Sequence, residues 1–176
     1  MDKLTPKETS KGAEEIVLTQ IKQDFITPAN AIFDYVDMVE KVLNEAELTS
    51  EDEIAQIKSS CTHLIDQYEV AFVQNTGINA ESSKKTPEEY SELRHNLRTP
   101  LNAIIGYSEI LMEDYEDDIE ETAIEDFQQI INLARETEKA IEVFVDYIRG
   151  ESIDPNNDNA SNQLESAESL FKSLGD

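Results

Sequence analysis

The stretches Gln23-Asp24-Phe25-Ile26-Thr27-Pro28-Ala29-Asn30-Ala31-Ile32-Phe33-Asp34-Tyr35 and His95-Asn96-Leu97-Arg98-Thr99-Pro100-Leu101-Asn102-Ala103-Ile104-Ile105-Gly106-Tyr107 are two versions of one pattern, 72 residues apart. Six positions are identical: the Thr-Pro pair, Asn, Ala, Ile and Tyr. Further on, Gln56-Ile57 and Glu69-Val70 through Gly77 align with Gln129-Ile130 and Glu142-Val143 through Gly150 at an offset of 73, so the second copy has gained one loop residue. The chain therefore reads as two related units in tandem.

Each unit is a helical hairpin. Apolar residues recur every three or four positions at Leu18, Ile21, Phe25, Ala29, Ile32, Val36, Val39 and Leu43, and again at Ile54, Ile57, Cys61, Leu64, Tyr68 and Phe72. The second unit repeats this at Tyr90, Leu93, Leu97, Leu101, Ile104, Ser108 and Leu111, then at Phe127, Ile130, Ala134, Thr137, Ile141, Phe144 or Val145, and Ile148. Such spacing makes an amphipathic helix. Ser50 with Glu53 reads as a capping box, and Thr86-Pro87 with Glu88 and Glu89 as a cap followed by proline at the first helical position. Gly77 and Gly150 read as stops, and the short Asn44–Leu48 and Tyr115–Asp118 connections imply antiparallel pairs. One hairpin cannot bury its stripe alone, whereas two side by side can, so the expected fold is all-α, a four-helix bundle of two tandem antiparallel hairpins. The expected division is 13–77 for the first hairpin, 78–86 for a linker, 87–150 for the second, and 151–176 for an acidic, partly flexible tail or connector with a short helix near Gln163–Leu174.

Composition narrows the function. The 39 acidic against 14 basic residues give a formal charge of −25, which opposes any phosphate backbone and leaves nucleic acid out as a partner. The same field can steer a partner with a basic docking face. No apolar run approaches the roughly 18 to 20 residues that span a bilayer, and the first twenty residues lack a cationic segment followed by an apolar one, so a cytoplasmic location without membrane insertion is expected. The single cysteine, Cys61, falls on an apolar stripe, a small buried side chain rather than half of a disulfide.

Of the two histidines, His95 stands out. At about 100° per residue its stripe averages some 160° away, so the imidazole faces solvent, with Arg98, Thr99 and Asn102 on the same outward side. His63 is also expected to be exposed, but Ser60, Thr62 and Gln67 around it form no motif, and it reads as a surface residue. Neither histidine has another histidine or a cysteine at ligand spacing, so no metal is expected. Pro100 inside the third helix removes a hydrogen bond, frees the carbonyl of Asn96 and sets a bend just past the histidine; Pro28 repeats this in the first helix.

The run Leu93-Arg94-His95-Asn96-Leu97-Arg98-Thr99-Pro100-Leu101-Asn102-Ala103-Ile104-Ile105-Gly106-Tyr107-Ser108-Glu109-Ile110-Leu111 resembles the H-box of sensor histidine kinases. The hairpin Pro87–Gly150 looks like one whole dimerisation and histidine-phosphotransfer domain, and Ala13–Gly77 like a diverged copy with Gln23 in place of the histidine. In that family two chains pair their hairpins into a four-helix bundle, so the resemblance implies a monomeric, single-chain pseudo-dimer with one active face. It further implies that His95 exchanges a phosphoryl group with the aspartate of a response-regulator receiver domain, the receiver supplying Mg²⁺ and this chain no cofactor. A histidine kinase is a second possible partner. Thr99 matches the position that in bifunctional relatives orients water for dephosphorylation, and Arg98, Asn102 and Asn96 are candidates for contacting the phosphoryl group or partner.

Two departures shape the expectation. Family kinases place a carboxylate directly after the histidine as a base, whereas Asn96 cannot take a proton. Only 26 residues follow Gly150, without a glycine-rich nucleotide loop, so this chain is expected to carry phosphate rather than take it from ATP. The alternatives are a phosphorylation-silent dimerisation or relay module of a larger protein (a cyclase or phosphatase), the acceptor domain of a full histidine kinase, and a plain helical adaptor.

Overall fold

The repeat folds as two hairpins that share one core. A computed structural model describes residues 6–150, with side chains from residue 12 onward. The segment 151–176, read above as an acidic connector ending in a short helix, lies outside the described residues. Four helices follow in order, α1 (Pro6–Glu45), α2 (Glu51–Asn75), α3 (Pro87–Tyr115) and α4 (Glu121–Arg149), with a short 3-10 turn at Gly77–Asn79. Among the described residues no strand interrupts them. Each of α3 and α4 has 29 residues, a rod about 43 Å long.

The helices pack in a ring: α1 against α2 and α4, and α3 against α2 and α4. The two hairpins therefore close one bundle instead of standing apart, as the two-sided shortage of partner surface requires. Burial follows the repeat. Phe25 and Leu97, Pro28 and Pro100, Ala29 and Leu101, Ile32 and Ile104, and Val36 and Ser108 are buried as pairs at offset 72. Ile57 and Ile130, Cys61 and Ala134, Leu64 and Thr137, Tyr68 and Ile141, and Ala71 and Phe144 are buried as pairs at offset 73. Equivalent positions thus face one common axis. Burial pushes the Cys61 thiol up to about 12, which leaves it an inert packing group at neutral pH.

The ends show where local chemistry decides. Thr86 caps α3 in a full capping box with Glu89, and Pro87 stands at the first helical position. Gly150 closes α4 in the left-handed region at φ 73°, a conformation costly for any residue with a Cβ. Ser50 does precede α2, but its side chain makes no cap hydrogen bond, so the expected capping box is not formed there. Its backbone (φ −145°, ψ 9°) lies outside the extended geometry that aims a cap oxygen at the first turn. Glu51, Asp52 and Glu53 still place negative charge on the helix N-terminus. Gly77 lies two residues past α2, with φ 63°. The first helix begins at Pro6, well before the apolar stripe begins at Leu18; Ala13, Glu14 and Glu15 in its leading turns are good helix formers that carry no apolar stripe.

Candidate functional site

His95 lies two turns into α3, exposed as its helical angle requires. Leu97, Pro100 and Leu101 beside it are buried and hold the helix face down, while Asn96, Arg98, Thr99 and Asn102 are exposed around it. The predicted site residues thus share one surface of α3, and each is held differently.

On one flank two arginines tie α3 to α4. Arg94 places Nε 2.9 Å from Glu142 Oε2 and Nη2 3.4 Å from Asp146 Oδ1. Arg98 pairs with Glu138 and brings Nη1 within 3.8 Å of Glu142 Oε1. Single half-exposed pairs contribute about 0–1 kcal/mol each. A ladder of two arginines on three carboxylates spaced at i, i+4 and i+8 fixes the rotation of α3 against α4, and so the direction in which His95 is presented. Arg98 in this arrangement is committed to α4. The first hairpin has Ile26 and Ile65 at the positions of Arg98 and Glu138, both partly buried against the core, so the ladder belongs to the H-box side alone.

On the other flank α3 faces α2 across an open groove of about 330 Å³ lined by Ser59, Ser60, His63 and Gln67 from α2 and Asn96, Thr99, Pro100 and Ala103 from α3. His63, which the sequence presented as an isolated surface residue, is exposed as expected but stands on the groove that holds Asn96 and Thr99. With Ser59, Ser60 and Gln67 it makes a polar wall supplied by the first hairpin, which has Gln23 in the place of His95. Periodicity shows which face of α2 is buried, but not which flank meets α3; that follows only from the order of helices around the ring.

Thr99 donates its hydroxyl to the His95 carbonyl at 2.9 Å. This side-chain bond competes with the backbone ladder just where Pro100 offers no N–H to the Asn96 carbonyl. The helix nonetheless runs on through Pro100, as α1 does through Pro28. Among the described residues no group of three or more His, Cys, Asp or Glu is placed to hold a metal ion, and no helix is long and apolar enough to cross a membrane.

The equivalent place in the first hairpin has Gln23 exposed where His95 stands, and Asp24 partly buried where Asn96 stands. Burial raises the Asp24 carboxyl above the ordinary 3.8, against a lowering hydrogen bond from Gln20, and its Oδ2 atom is buried without a partner. The folded chain thus holds this proton more tightly than the unfolded one. The advantage is complete below the unfolded value and is lost as pH rises through the folded one. At pH 7 the ionised carboxylate costs stability, on the order of 1 kcal/mol for one unpaired buried oxygen. Asp24→Asn, which copies the second hairpin, should raise the melting temperature at pH 7 by a few degrees and have less effect near pH 3.5. Thermal unfolding followed by circular dichroism at the two pH values measures this; equal shifts at both would contradict it.

Comparison with known proteins bears on this half of the molecule. Residues 88–152 match the family model of the His Kinase A (phospho-acceptor) domain. The match covers α3, with His95 and its neighbours, and α4. No curated protein and no solved structure matches the chain.

Proposed function

We propose, taking the phospho-acceptor match over residues 88–152 as the premise, that His95 is a phosphoryl acceptor in two-component signalling and exchanges its group with the aspartate of a receiver domain. The observation that carries this reading is the exposed imidazole on the outward face of α3, inside the matched segment. A neutral imidazole is a competent nucleophile without a base to activate it. Its unprotonated ring nitrogen attacks the aspartyl phosphate; the N–P bond forms as the P–O bond to the carboxylate breaks, the aspartate leaves as carboxylate, and the other ring nitrogen can release its proton to water. The reverse step returns the group. Mg²⁺ on the receiver neutralises the transferring charge, so this chain needs to do little beyond presenting His95.

The other site residues take supporting roles in this reading. Asn96 and Asn102 offer hydrogen-bond donors to a group on the ring, and Arg98 sets the rotation of α3 through α4 rather than reaching the phosphoryl. Thr99 must give up its bond to the His95 carbonyl before it can orient a water. The first hairpin, with Gln23 in the acceptor place, serves as the second half of a pseudo-dimer.

Incubation with a phosphorylated receiver tests this directly. The wild type should gain an acid-labile, alkali-stable label, and His95→Ala should gain none. Equal label on both, or none on the wild type against a broad panel of receivers, would overturn it. A second reading, a phosphorylation-silent dimerisation or relay module, is favoured by Asn96 in place of a carboxylate and by Arg98 already bound to Glu138; it predicts no label on either.

A further inference from the structure

The two hairpins agree in burial at position after position and part company at the C-terminal end of their second helices. Val143 of α4 is 7% exposed, whereas its counterpart Val70 of α2 is 56% exposed. The neighbouring helix explains this. In repeat register Pro87, where α3 begins, corresponds to Glu15, so α1, which begins at Pro6, carries turns that α3 lacks. Glu14, in those turns, hydrogen-bonds Tyr147, one turn beyond Val143 on the same face of α4. On the other side the chain before Pro87 passes through the 3-10 turn, and Glu89, the counterpart of Val17, is held in the capping box by Thr86.

Between α2 and α3 lies an open groove of about 360 Å³ whose lining joins the apolar Val70, Ala71, Leu93 and Leu97 to polar groups that include Asp66, Lys85 and Asn96. Ile78, 97% exposed, follows just beyond the end of α2.

We propose that this groove seats the chain's own residues 163–174. In sequence the segment carries Leu164, Ala167, Leu170, Phe171 and Leu174, spaced three or four apart on one apolar stripe with nothing nearby in sequence to bury it. It leaves from Gly150, at the same end of the bundle as the last turn of α2, since α2 and α4 run parallel in alternating hairpins. The twelve residues 151–162 can reach about 40 Å, against roughly 10 Å between neighbouring helices. Lys85 offers a cation, and Asp66 an anion, to a segment that carries Glu165, Glu168 and Lys172. Because Asn96 lines the groove, a seated segment lies over the neighbour of His95 and shields that residue from a partner. This last consequence rests on the proposed acceptor role; the seat itself does not.

Oxidation of the full chain carrying Val70→Cys with Leu170→Cys tests the seat. Cys61, 2% exposed, stays out of the exchange. An intrachain disulfide should form at least tenfold faster than in Val70→Cys with Lys172→Cys, which is tethered equally but turns the thiol to the opposite side of the stripe. Equal rates would reduce the effect to tethering and overturn the proposal, and a disulfide between chains would assign the groove to a second copy instead. In the full chain, Leu170→Glu should raise the rate of phosphoryl transfer between His95 and a receiver severalfold; an unchanged rate would overturn the shielding. If the wild type takes no phosphoryl group at all, the acceptor reading fails while the disulfide result still decides the seat.

Discussion

Phe144→Ala should cost about 3–5 kcal/mol of folding stability, among the largest effects expected of a single truncation in this bundle. Phe144 is fully buried on α4, with its ring centroid 4.9 Å from Tyr68 and 5.9 Å from Phe72, both on α2. Tyr68 in turn stacks on Phe25 of α1 at 3.6 Å and directs its hydroxyl toward the Ile21 carbonyl at 3.5 Å. The cluster therefore joins three helices and both hairpins, reaching across the bundle from α4 to α2. Alanine would leave a cavity that rigid helices on all sides cannot collapse, and ring contacts of this kind add about 0.5–1.5 kcal/mol beyond burial. Against a total of about 5–15 kcal/mol for an ordinary domain, the variant should melt roughly 10 °C or more below the wild type. Urea unfolding followed by circular dichroism gives the value; a loss under 1 kcal/mol would mean that the two hairpins do not share this core. Met38→Ala, at an exposed site on α1, should change stability by no more than about 0.5 kcal/mol.

His95→Gln should abolish phosphoryl labelling, a loss of at least a hundredfold, while leaving stability within about 0.5 kcal/mol of the wild type. The substitution installs the residue that the first hairpin already carries at position 23. Glutamine has hydrogen-bonding groups but no nucleophilic ring nitrogen. Since His95 is exposed and none of the ion pairs of the α3–α4 ladder runs through it, the folded scaffold should be unaffected. Transfer from a phosphorylated receiver, with unfolding measured on the same samples, separates the chemistry from the fold. Retained label in the glutamine variant would move the acceptor elsewhere.

The helical hairpins were legible because the pattern repeats. Two copies of Thr-Pro-x-Asn-Ala-Ile on matching apolar stripes place Phe25 with Leu97 and Ile32 with Ile104, and the core pairs them as the offset requires. What the sequence could not disclose is lateral order. A stripe shows which face of a helix turns inward, but whether α2 borders α3 depends on loops whose composition is compatible with several paths. For that reason His63 looked isolated, although it shares a groove with Thr99, and Arg98 looked free to meet a ligand, although Glu138 and Glu142 hold it. The extent of α1 was hidden for a different reason: its leading turns carry few apolar residues, and periodicity cannot register them. Ser50 shows the limit of motif matching, since a capping box needs backbone geometry as well as a serine and a glutamate three residues apart.

The measurement that tests the account most directly is chemical phosphorylation of the full chain with phosphoramidate, a small donor that requires no partner, followed by peptide mapping under alkaline conditions. The account predicts phosphohistidine at His95. Label at His63 in its place, or none at either histidine, would contradict it.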